Sequence, residues 1–133
     1  MSRFIICCGG TGGHLAPGIA VAEALLKQGH TCWLIISRKE VDARLISHYP
    51  HLNFLRAPGC SITPGWKGMV RFLSGQWQNF FFSLRIFYNL KPHLILAFGG
   101  FMSVAPVLAG LLKRIPVALH EANQRIGKAI RYL

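Results

Sequence analysis

The sequence predicts an α/β fold, a parallel sheet with helices on both faces. Three observations carry that reading. Apolar runs alternate along the chain with longer segments of helical period. The runs are almost continuously apolar, as strands of a parallel sheet covered on both faces must be. Two of them end in glycine pairs that lead straight into a helical segment. The 133 residues suffice for one domain with a real core, and 52% hydrophobic against 14% charged residues excludes a disordered chain.

The elements follow in order. Phe4-Ile5-Ile6-Cys7-Cys8 reads as the first strand. A helix over 17–28 begins at Pro17, a residue suited to a first helical turn, and stops at Gly29. Strands at 31–37 and 53–57 bracket a helix at 39–48. A long helical stretch over 66–90, broken at its glycines, precedes a strand at 93–98. A helix at 103–113, a strand at 116–120 and a final helix starting near Arg125 complete the alternation. Residues 94–112 carry no charge and are about as long as a membrane span. Gly99-Gly100 interrupts them, and Pro106 suits a new helix, so a buried strand, a turn and a helix is the preferred reading. The last helix is cut short at Leu133, just as Ile126, Ile130 and Leu133 begin an apolar stripe. The chain therefore reads as an incomplete domain, or as one whose remainder comes from another polypeptide.

Charge and cysteine narrow the function classes. Lys and Arg total 15 against 4 acids, a net charge of +11, and no carboxylate occurs between Asp42 and Glu121. Such a field attracts phosphorylated ligands, anionic lipid or nucleic acid. The last lacks support, since no helix-turn-helix, zinc ligands or RNP-like strand accompanies the charge. Cys7, Cys8, Cys32 and Cys60 form no CxxC pair and read as buried thiols of a reducing compartment. The apolar run before the first glycines is too short for a leader peptide. No metal site or cofactor is expected.

Five glycines, Gly9, Gly10, Gly12, Gly13 and Gly18, crowd the first strand–helix junction together with Thr11 and His14. Strand, glycines, helix is a geometry for phosphate: the backbone approaches closely and the helix N-terminus adds partial positive charge. Neither familiar motif fits. A P-loop needs Gly-Lys-Ser/Thr, and His14 follows Gly13; a dinucleotide fingerprint needs a glycine where Leu15 stands. Arg38 and Lys39 replace the acid of an NAD site and leave an NADP reading open, as does a tight turn with no ligand. Phe98-Gly99-Gly100-Phe101-Met102-Ser103 forms a second such turn. The fifth strand brings His120-Glu121-Ala122-Asn123 to the same sheet edge, where this Rossmann-like fold class binds its ligands. Two glycine turns on one crevice suit a ligand with two phosphates, or a phosphate and a sugar.

These residues, with Pro17-Gly18, Lys91-Pro92 and Ile115-Pro116-Val117 in the same order, resemble the MurG family of N-acetylglucosaminyltransferases over essentially the whole chain. The resemblance implies the N-terminal half of a two-domain GT-B fold: residues 1–133 would be the acceptor-binding domain, with the C-terminal donor-binding domain absent. It implies an inverting transfer of N-acetylglucosamine from UDP-N-acetylglucosamine to undecaprenyl-diphosphate-linked muramyl-pentapeptide, lipid I to lipid II of peptidoglycan synthesis. By position, Thr11, Gly12, Gly13 and Asn123 resemble residues meeting the donor. Gly10, His14, Gly99, Gly100 and Ser103 resemble those proposed for the acceptor diphosphate. His14 is a catalytic base by type or a diphosphate ligand, and Glu121 is a base or an orienting residue. Phe101 stands where tyrosine is usual, and Ala122 where glutamine is common. The alternative is a non-catalytic acceptor- and membrane-binding subunit needing a separate donor-binding chain. Alone, the chain is expected to be inactive.

Residues 65–91 add a membrane signal. Trp66, Val70, Leu73, Trp77, Phe80, Leu84 and Tyr88 follow a helical stripe, most simply core packing. Phe72, Phe82 and Ile86 then fall on the far side beside Arg71 and Arg85, a pattern suited to anionic lipid. The implied location is peripheral, on the cytoplasmic face of the bacterial inner membrane.

Overall fold

The computed structural model describes residues 1–9, 12–38, 40–59, 62–121, 131 and 133. In chain order these form β1 (Arg3–Cys7), α1 (Gly12–Lys27), β2 (Thr31–Ile36), α2 (Glu40–Ile46), β3 (Asn53–Arg56), α3 (Trp66–Leu90) and β4 (Leu94–Ala97). A single 3-10 turn (Phe101–Ser103), α4 (Val104–Leu112) and β5 (Val117–Leu119) follow. The strands make one parallel sheet in the order β3-β2-β1-β4-β5.

Strand alternation builds two cores. Ile5, Cys7, Ile35, Ile95 and Ala97 face Phe87 of α3 and Val107 and Ala109 of α4. Ile6, Cys8, Leu34 and Ile36 face Leu15, Ile19 and Ala22 of α1. Both sheet faces are thus covered, which is why the strands read as continuous apolar runs. Gly18 sits where α1 meets the end of β1, and a Cβ there would stand 2.6 Å from Cys8 Cβ. This glycine serves packing between helix and strand.

All five predicted strands are present, within a residue or so of their expected ends. Two helical expectations change. α1 begins at Gly12 rather than at residue 17, so Pro17 lies inside it and Gly13 and His14 belong to its first turn. Pro17 removes one hydrogen bond, to the carbonyl of Gly13, an exposed residue at the helix start that solvent reaches. α3 is continuous over 25 residues, without breaks. The helix predicted near Arg125 starts outside the described residues. The uncharged stretch 94–112 is β4, the glycine turn and α4, and among the described residues no helix is long and apolar enough to cross a membrane.

α3 departs in part from the expected faces. Its buried side is Gly68, Gly75, Asn79, Ser83 and Phe87. Small residues let α3 approach its neighbours closely, so the glycines mark contact and not breaks. A Cβ on Gly68 would collide with the backbone of Thr63. Much of the apolar stripe instead faces outward: Trp66 is 74% exposed and Trp77 66%, with Val70, Leu73 and Tyr88 also exposed, while Phe80 and Leu84 of the same stripe pack against the core as expected. Conversely, Phe82 and Ile86, expected on a membrane face, pack against the α3–α4 core. Phe72 is half-buried and stands edge-on to Phe101, ring centroids 5.6 Å apart. Arg71 and Arg85 are exposed as expected.

Candidate active site

β2 lies on one side of β1 and β4 on the other, so the chain reverses direction across the sheet between β1 and β4. At such a switch point the loops leaving the two strands diverge and open a crevice beyond their carboxyl ends. Both glycine turns leave from it.

The first turn is held tightly. The Cys8 N–H donates to Ile35 O at 3.2 Å, carrying the β1–β2 pairing past the strand end. A Cβ on Gly9 would fall 2.5 Å from Ser37 N and 2.8 Å from the Ile36 backbone, so only glycine fits. α1 begins three residues later. Its first N–H groups, those of Gly12, Gly13 and His14, have no intrahelical partners and carry the positive end of the helix dipole.

The second turn is braced from two sides. The Phe98 N–H donates to Cys7 O at 2.9 Å. Gly99 and Gly100 then take φ of 90° and 76°, left-handed values that L side chains rarely adopt. The Ser103 N–H donates to Gly100 O, and its hydroxyl to Gly99 O at 2.6 Å. Ser103 is fully buried. Its hydroxyl proton is used to shape the turn. From α3, Gln76 Nε2 donates to Phe101 O at 2.9 Å and Asn79 Nδ2 to Met102 O at 3.2 Å. The Ser83 hydroxyl donates to Asn79 Oδ1. Sequence reasoning missed these braces; the available signal was a set of polar residues at helical spacing among glycines.

The two turns meet. The Cβ position of Gly100 is 3.5 Å from the Gly9 carbonyl oxygen and 3.6 and 3.7 Å from Cδ2 and Nε2 of His14. The His14 ring therefore lies against the second turn. β5 joins the same edge: the His120 N–H donates to Ala97 O at 2.8 Å, and its ring stands 5.0 Å from that of Phe98. Glu121 follows directly. Gly10, Thr11 and Asn123 lie outside the described residues.

Three other histidines work elsewhere. His30 and His93 accept the N–H groups of Ser2 and Arg3 at the opposite end of the sheet, and His51 contacts Glu23 at 3.1 Å. His14 is thus the imidazole placed between the two turns. Burial pushes the Cys7 thiol up to about 12 and Cys32 up to about 11, so both stay protonated and inert.

A helix N-terminus, two left-handed glycines and an imidazole between the turns suit an oxyanion ligand. Residues 4–133 match the glycosyltransferase family 28 N-terminal domain. The chain belongs to that family. Within family 28 it is 49% identical, over all its 133 residues, to the UDP-N-acetylglucosamine--N-acetylmuramyl-(pentapeptide) pyrophosphoryl-undecaprenol N-acetylglucosamine transferase of Opitutus terrae. The Protochlamydia amoebophila protein of the same name is 36% identical over 98% of the chain. The chain spans 35% of the length of each. In fold it superposes on the crystal structure of Acinetobacter baumannii MurG with a TM-score of 0.85 at 24% identity, covering 99% of this chain and 38% of that one. The sheet and its helices are those of a GT-B N-terminal domain.

Proposed function

We propose that this family 28 domain is the acceptor-side half of an inverting glycosyltransferase. The reaction it serves moves N-acetylglucosamine from UDP-N-acetylglucosamine to a muramyl-pentapeptide carried on undecaprenyl diphosphate. The observation that carries the reading is the meeting of the two glycine turns at the switch point, with His14 against Gly100.

The acceptor diphosphate sits over the first turn of α1 and the Gly99-Gly100 turn. Backbone N–H groups and the α1 dipole offset its charge, and they are in place before the ligand arrives. The contact of His14 with the second turn favours its diphosphate role over its role as base. Glu121, at the same edge, is the candidate base for the acceptor hydroxyl. Gly10, Thr11, Gly12, Gly13 and Asn123 serve the same crevice, the last four toward the donor. The C-terminal donor-binding domain of the longer relatives completes the site, so the chain alone gives no turnover.

The exposed stripe Trp66, Val70, Leu73 and Trp77, with Arg71 beside it, seats the domain on anionic lipid at the cytoplasmic face of the inner membrane. Liposome flotation tests both parts. Acceptor in the bilayer should raise binding of the native chain, and His14→Ala should remove only that increment. Equal flotation of both chains on acceptor-loaded liposomes would refute the diphosphate assignment.

A further inference from the structure

Between the exposed face of α3 and the start of α4 runs an apolar groove of about 860 Å³. That is within the range of ligand pockets, about 300–1,000 Å³. Val70, Leu73 and Trp77 form one wall, and Phe101, Val104 and Leu108 the other. Phe101 links the two regions: it lines the groove and directly follows Gly100, which lies against His14. The groove therefore starts where the diphosphate crevice ends.

We propose that this groove takes the first isoprene units of the polyprenyl diphosphate acceptor. The inference rests on the acceptor reading above and assigns a subsite for the tail. Three features select this occupant. The groove is lined mostly by apolar side chains, which offer contact to an alkyl or alkenyl chain, with Ser74 and Gln76 the polar residues of the lining. It is continuous with the phosphate-binding turn, so a ligand with a charged head and an apolar tail spans both. Its α3 wall is also the exposed aromatic face, so a tail leaving the groove passes into the bilayer without crossing water. Gln76 and Asn79 tie α3 to Phe101 and Met102, which keeps wall and turn in register.

The test is calorimetric titration of the chain, below micelle-forming concentrations, with inorganic pyrophosphate, farnesol, and geranyl, farnesyl and geranylgeranyl diphosphate. Affinity should rise by about tenfold or more from geranyl to geranylgeranyl diphosphate, as more apolar surface is buried. Leu108→Glu, at a half-exposed position, should flatten that rise and leave pyrophosphate affinity unchanged. Ser74→Trp, which fills the groove from the α3 side, should act the same way. Pyrophosphate binding with no dependence on chain length would overturn the groove and leave the proposed function standing. Farnesol binding as tightly as farnesyl diphosphate, with no pyrophosphate binding, would support the groove and refute the diphosphate reading.

Discussion

Glycine does different things at the two ends of this molecule's function. At the crevice edge, Gly9 lets the backbone pass close to β2, and Gly99 and Gly100 take left-handed φ that shapes the second turn. On α3, Gly68 and Gly75 are helical and buried, and they bring one element against another. The large residues differ too. The apolar side chains of β1 and β4 that lead into the two turns are buried, whereas along α3 the small residues are buried and the tryptophans face out. A residue's size alone says nothing about which side of a helix the core lies on. The partner surface decides: where helices approach closely, small residues face inward, and large ones are left for another partner.

The largest break in this comparison should come at Gly9. Gly9→Ala drives a Cβ into the backbone of β2 and should cost about 3 kcal/mol, read as a shifted midpoint in urea unfolding. Next is Asn79→Ala, which strips the fully buried brace from Met102 O and should cost about 1–3 kcal/mol. Its loss should also loosen amide protection at residues 99–103 in hydrogen exchange. Ile86→Ala, on the half-buried side of α3, should cost about 1–2 kcal/mol. Trp77→Ser, on the exposed side, should stay within about 0.5 kcal/mol of the native chain yet lose much of its binding to anionic liposomes. The opposite ranking of Ile86 and Trp77 in stability would restore the face assignment that periodicity favours.

The smallest effect concerns the thiols. Cys7 and Cys32 should resist iodoacetamide at pH 8 in the folded chain and react on unfolding, as followed by mass spectrometry. Their raised pKa values stabilise the fold fully below the ordinary thiol value of 9.0. That contribution is lost as pH rises through about 11 for Cys32 and about 12 for Cys7.

The sheet was legible because burial on both faces leaves a strong mark: Phe4 to Cys8 and residues 93–98 read as strands on composition alone. The crevice was legible for a related reason, since glycine pairs after buried strands have few other uses. Three things were not. The start of α1 was hidden by Pro17, which propensity places at a helix start and the structure places inside. The face of α3 was hidden because four of its five buried residues are Gly68, Gly75, Asn79 and Ser83, which a hydrophobic pattern does not count. The hydrogen bond of Ser103 was hidden because a motif marks a residue's position, and the direction of its hydroxyl depends on the Gly99 carbonyl folding back to meet it.

The central claim is that the two glycine turns hold one diphosphate together. The most direct measurement is a titration of the isotopically labelled chain with a short polyprenyl diphosphate, followed by amide nuclear magnetic resonance. The account predicts that the N–H signals of Gly13 and His14 and those of Gly99 and Gly100 shift along a single saturation curve, while those of Ser2 and Arg3 at the far end stay still. Shifts confined to one turn, or centred on Lys91 and Lys113, would contradict it.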